Sequence, residues 1–226
     1  MPISIYAATC DDAESIVQIV CEAYQSTPSP AHVQALALTV LRQDLQRQSP
    51  DVFPEWIVAK DDTTGTVISY MQLVYETQNW AEVQIQKMDG CSKTSGEEAT
   101  IADKRHRRAT IRSLRLHAVS GKIHLCVSKH CNSDSSMTAY FLSVIKQLAT
   151  RPTSQRQGAG SSLMELAIAR ASQLGVILYL DGREDALDFY KKFDFQSIDS
   201  VFVSNVVGGG QYKHVSMIRY PPDIPQ

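Results

Sequence analysis

The chain has 226 residues, 43% apolar and 20% charged, a composition suited to one globular domain, with or without a long insertion, that buries a sizeable core. A net charge of −2 and a pI near 6.3 argue against general binding to nucleic acid or an anionic membrane. No apolar run approaches membrane-spanning length, and residues 1–15 show neither the basic nor the apolar region of a secretory signal. Five cysteines without framework spacing fit free thiols in a reducing compartment, so a soluble cytoplasmic protein is expected.

Residues 3–8 read as a first strand. Asp11 followed by Glu14 has the form of a capping box, and Ile16, Val17, Ile19, Val20, Ala23 and Tyr24 recur at helical spacing. The prolines at 28 and 30 end that helix, and a second covers 33–47. Residues 56–59 and 66–74 read as a strand hairpin around the Asp61–Gly65 turn. From about 76 to 138 the pattern fades, and this stretch reads as an insertion. Its basic cluster at 104–108, with Arg112 and Arg115, suits either an acidic partner or a solvated helix face. His117, His124, Cys126, His130 and Cys131 match no standard metal clip, so no metal site is expected.

The pattern returns at 140–149, an apolar strand that runs into Arg151-Pro152 and then Gln155-Arg156-Gln157-Gly158-Ala159-Gly160. Ser161 and Ser162 open the next helix, whose apolar face is Leu163, Leu166, Ala167, Ala171 and Leu174, with Gly175 placed to stop it. Strand, glycine turn and helix start make a place for an anion: unpaired N–H groups point outward and the helix dipole favours negative charge. The same residues also fit an ordinary turn whose glycines only relieve strain. A Rossmann turn fits less well, because Leu163 stands where the third glycine belongs. Residues 176–180 read as a strand covered on both faces, and Ala186, Phe189, Tyr190 and Phe193 lie along one helix face. Strands at 200–207 and 213–218 complete an α/β mixture whose central strands are parallel.

With these elements in order, the chain resembles the GNAT superfamily of N-acetyltransferases, and within it a fungal subgroup of small enzymes. Residues 155–160 fit the Q/R-x-x-G-x-G/A pyrophosphate loop, and Ala186, Phe189 and Tyr190 fit the later A-x-x-F-Y pattern. The resemblance is strong over 140–220, moderate over the first seventy-odd residues and absent between. It implies one GNAT domain spanning 1–226. Its sheet would be mixed and mostly antiparallel, with a parallel β4–β5 pair flanked by helices. It also implies acetyl-CoA as cosubstrate, a small-molecule or peptide amine as acceptor, no nucleic acid or membrane partner, and a monomer or homodimer.

By the same resemblance, the backbone of Leu148, Ala149 and Thr150 would hold the pantetheine arm. Gln155, Arg156, Gln157, Gly158, Ala159, Gly160 and Ser161 would take the pyrophosphate. Tyr190 would protonate the leaving thiolate, its alternative being a packed core aromatic. Asp181 would act as general base, with Glu184 as second choice; Asp181 fits equally a helix cap. Three residues depart from the family pattern: Arg151 for a frequent His, Arg183 for Asn, and Asp194 for the glycine that ends the helix. These departures leave open a catalytically degenerate module that binds CoA or a protein.

Overall fold

The computed structural model describes residues 2–23, 31–47, 55–77, 140–204 and 211–222. From residue 78 onward the stretch read as an insertion, with its basic cluster, histidines and cysteines, lies outside the described residues. The chain divides into two compact units, Met1–Tyr75 with Ser143–Leu178, and Glu76–Leu142 with Tyr179–Gln226.

The first unit contains β1 (Ile3–Ala7), α1 (Ala13–Ala23), α2 (Ala31–Arg47), β2 (Glu55–Asp61) and most of β3 (Val67–Thr77). It continues with most of β4 (Tyr140–Thr150), α3 (Ala159–Leu174) and the start of β5 (Ile177–Arg183). Its strands neighbour one another in the order β1-β2-β3-β4-β5, with β4 and β5 parallel. β1 pairs antiparallel with β2, Ile5 opposite Ala59, and β2 antiparallel with β3, Val58 opposite Tyr70. Trp56 and Val58 join Ile16 and Ile19 of α1 and Leu41 and Leu45 of α2 in one buried cluster. Ile57 and Ala59, pointing the other way, are equally buried, and α3 packs on β1 and β2. Alternate residues are thus apolar on both faces, which is why β2 reads as a continuous apolar run.

The cap that starts α1 sits two residues before the expected one. Thr9, not Asp11, precedes the first turn, and the Asp12 carboxylate reaches back to the Thr9 N–H at 2.9 Å and its hydroxyl at 3.0 Å. Asp12 also takes Lys60 Nζ at 2.7 Å, which ties the cap to β2. Burial pushes the Asp12 carboxyl upward, but the hydrogen bonds from Lys60 and Thr9 outweigh it and hold the group below its usual range. A depressed carboxyl contributes stability above its unfolded value, and that contribution disappears as pH falls through its folded value. Asp12→Asn is therefore expected to lose about 2 kcal/mol at pH 7, with the gap to wild type closing below about pH 4. Urea unfolding across pH 7 to 2 checks this; curves that stay parallel would refute it.

The second unit contains the rest of β5, α4 (Leu187–Lys191), β6 (Gln196–Ser204) and β7 (Gln211–Arg219), with strand order β5-β7-β6. β6 and β7 pair antiparallel, Ser200 opposite Val215. β6 begins four residues before its expected start. α4 ends in a Schellman exit: Phe195 N–H donates to Tyr190 O at 3.4 Å and Asp194 N–H to Lys191 O at 3.1 Å. Asp194 takes the left-handed conformation at φ +62, so the exit keeps its geometry without the expected glycine.

Candidate functional site

In the first unit, β4 leads through a short turn at Pro152–Ser154 to α3, which starts at Ala159, two residues before Ser161. Gly158 is the residue before the helix and lies at φ +96, ψ −13, a left-handed conformation that side chains resist. A Cβ built there would meet nothing within 4 Å, so its outer side is an open approach. Ser162 N–H is the first in the helix to find a carbonyl, that of Gly158 at 2.9 Å. The N–H groups of Ala159, Gly160 and Ser161 therefore lack intrahelical acceptors and face the start of the helix. These residues fit an anion such as a pyrophosphate: an open backbone, first-turn donors, and the exposed Arg156 beside them.

The other predicted positions divide. Gln155 N–H donates to Pro152 O at 3.4 Å, and its side chain turns back to Thr150 O, also at 3.4 Å. The Gln157 side chain reaches Thr153 O at 3.3 Å. Both glutamines thus brace the turn with their side chains, a role their spacing did not announce. Ser69 Oγ donates to Ala149 O at 2.8 Å and lies 2.9 Å from Thr150 Oγ1, which fixes the end of β4. Leu148 is half-buried beside them. Arg151 is held by its backbone N–H to Ile68 O at 2.8 Å, with its guanidinium 3.6 Å from Glu22 on α1.

In the second unit, Asp181 lies within β5 rather than past its end. It caps no helix, since the residue before the next helical turn is Arg183. Its Oδ1 accepts from the hydroxyls of Tyr179 and of Ser216 on β7, the latter at 2.8 Å, and Tyr179 Oη lies 2.8 Å from Ser216 Oγ. Tyr179 is fully buried, whereas Asp181 and Ser216 are half-buried. Tyr179 and Ser216 went unnoticed in the sequence; the alternation of β5 places Tyr179 and Asp181 on one face, but nothing local points to Ser216.

Tyr190 is buried and meets Phe189 and Phe195 edge-on, at 5.3 and 6.2 Å between ring centres. A Cβ on Gly182 would come within 2.9 Å of the Tyr190 ring, so glycine on β5 is what lets that ring lie against the strand. Glu184 is exposed and pairs with Lys213 at 3.7 Å, and Arg183 pairs with Asp185 at 2.8 Å. A shallow depression of about 500 Å³ beside Lys191, Phe195, Arg219 and Tyr220 includes none of the predicted residues. Among the described residues no group of acidic, histidine and cysteine side chains could hold a metal, and no helix is long and apolar enough to cross a membrane. Cys10 and Cys21 are free thiols.

Residues 115–197 match the acetyltransferase (GNAT) domain family, a match that begins inside the stretch read as an insertion and runs through α4. The sequence matches no curated protein. Among solved structures, the chain is similar to a polyamine N-acetyltransferase from Drosophila melanogaster that forms N-acetylagmatine. The TM-score is 0.61 at 12% identity, over 97% of this chain and 100% of that one. A histone acetyltransferase HPA2-related protein from Corynebacterium glutamicum gives 0.55 at 17% identity, over 100% and 99%. A phosphinothricin acetyltransferase from Sinorhizobium meliloti, in complex with AcCoA, gives 0.56 at 14% identity, over 98% and 89%. At these identities the structures establish the shared fold, a GNAT fold, and the match to the acetyltransferase (GNAT) domain family takes in β4, the glycine turn, α3, β5 and α4.

Proposed function

We propose that the protein transfers the acetyl group of acetyl-CoA directly to an amine, in a small molecule or a peptide. The observation that carries this reading is the left-handed, open-sided Gly158 heading α3, where first-turn amides and Arg156 can take a pyrophosphate. Acetyl-CoA supplies an acetyl group activated as a thioester. On the protein's side, the amides of Gly158, Ala159, Gly160 and Ser161 hold the diphosphate, while Gln155 and Gln157 keep their turn in shape. The end of β4, from Leu148 through Thr150, offers backbone groups to the pantetheine amides, and an N–H there polarises the acetyl carbonyl. Tyr190 gives its phenolic proton to the departing sulfur, and Asp181 receives the proton that the amine sheds. The whole chain acts as one acetyltransferase domain with an insertion at about 76–138, in the cytoplasm, as a monomer or homodimer.

The test incubates the protein with acetyl-CoA and pooled amines, polyamines and peptides, and reads acetylated products by mass spectrometry. The expected result is one acceptor class acetylated with matching release of free CoA thiol. Calorimetric CoA binding without any acetylated product would favour a binding module instead.

A further inference from the structure

In the second unit, three charged side chains line one depression without neutralising one another. The depression, about 500 Å³ in volume, lies where α4 gives way to β6 and where β7 ends; Lys191, Asp194 and Arg219 share its wall with Phe195, Tyr220 and Pro221. Arg219 Nε–H donates at 3.0 Å to the carbonyl of Phe193, the residue just before Asp194. That bond sets the guanidinium beside the exit of α4 and leaves its two terminal nitrogens for another partner. Lys191 pairs with the exposed Asp188 at 3.3 Å, a contact worth little in water and readily exchanged. Among the described residues, the Asp194 carboxylate has no hydrogen bond or ion pair, although Lys191 and Arg219 line the same depression. Its backbone is left-handed at φ +62, a conformation that glycine takes freely and a residue with a side chain resists. The exit thus carries a carboxylate where glycine would be more stable, and that carboxylate ties together no part of the described fold.

We propose that this depression binds an acidic α-amino acid. The α-carboxylate lies across the terminal nitrogens of Arg219, whose fork suits a planar group with two oxygens. The ammonium meets Asp194, and the side-chain carboxylate takes Lys191 from Asp188. Charge decides between ligand classes. A phosphate or a plain dicarboxylate gains the two cations but sets its charge against Asp194, and an amine without a carboxylate gains one acid while facing two cations. Two carboxylates and one ammonium mirror the two cations and one carboxylate on the wall. The volume is that of a small-molecule site, and its shallowness leaves binding to charge pairing more than to burial. None of the three residues takes part in acetyl transfer as proposed above, so the two readings stand or fall separately.

Isothermal titration of the full chain with L-glutamate, and with glutarate, which has both carboxylates but no ammonium, tests the site. Wild type should bind L-glutamate saturably and more tightly than glutarate. Asp194→Asn puts at the exit a residue that tolerates the left-handed conformation and removes only the charge. It should weaken L-glutamate about fivefold or more and leave glutarate no weaker, with a melting temperature close to wild type. Arg219→Lys gives up the fork and should weaken both ligands. Absence of saturable L-glutamate binding by wild type overturns the proposal, as does an Asp194→Asn protein that binds L-glutamate like wild type. Equal weakening of both ligands by Asp194→Asn would overturn the ammonium contact, and with it the choice of ligand class.

Discussion

Tyr190→Phe is expected to lower kcat on the order of a hundredfold while acetyl-CoA affinity stays close to wild type. The substitution keeps the ring that meets Phe189 and Phe195 and lies over Gly182, and removes only the hydroxyl. Stability should therefore fall by no more than about 1 kcal/mol, the usual net worth of one hydrogen bond. If the phenol is the acid, the rate loss appears in kcat and not in binding, because the departing sulfur needs the proton only as the bond breaks. Steady-state kinetics with the best acceptor, beside calorimetry with acetyl-CoA, make the separation. Equal kcat in the two proteins would reduce Tyr190 to a core aromatic and leave the proton to water.

Gly158→Val should weaken acetyl-CoA binding at least about tenfold, or 1.4 kcal/mol. Its side chain would enter the open approach beside the first-turn amides. At φ +96 a branched residue is also strained, so unfolding stability should fall by about 1 to 2 kcal/mol. Gly158→Ala separates the two effects, since it carries much of the strain with far less bulk over the amides. Circular dichroism confirms folding, and calorimetric titration with CoA reads affinity. Wild-type affinity in a folded Gly158→Val protein would end the assignment of this turn to the diphosphate.

Long apolar periodicities were legible because burial imposes them: the α3 face and the continuous β5 run appear close to where the residues predict them. Local signals were less certain, since they are short and recur. Asp11 with Glu14 and Thr9 with Asp12 both have capping-box form, and the choice fell to Thr9 because Asp12 also meets Lys60 on β2. That partner lies 48 residues away in sequence. β6 was displaced for a related reason, as its first five residues, 196–200, are mostly exposed and mostly polar and give weak alternation. The glycine turn was readable from composition, yet the bracing by Gln155 and Gln157 depends on how side chains fold back. Asp181 was chosen from its place on the strand. Its partner Ser216 is 35 residues further on, and only the pairing of strands brings the two together.

Arg156, like Gly158, is left-handed, with φ +62. For a residue with a side chain this backbone costs on the order of 1 kcal/mol, so folding alone sets the bend two residues ahead of Gly158. On the proposed reading, a diphosphate arriving there would meet donors already aimed and have little chain to order, so the turn would be preorganised. Stability and affinity are then opposed at position 156. If the turn holds the diphosphate, a residue that relaxes the bend would gain stability in the folded protein and give up affinity for the ligand.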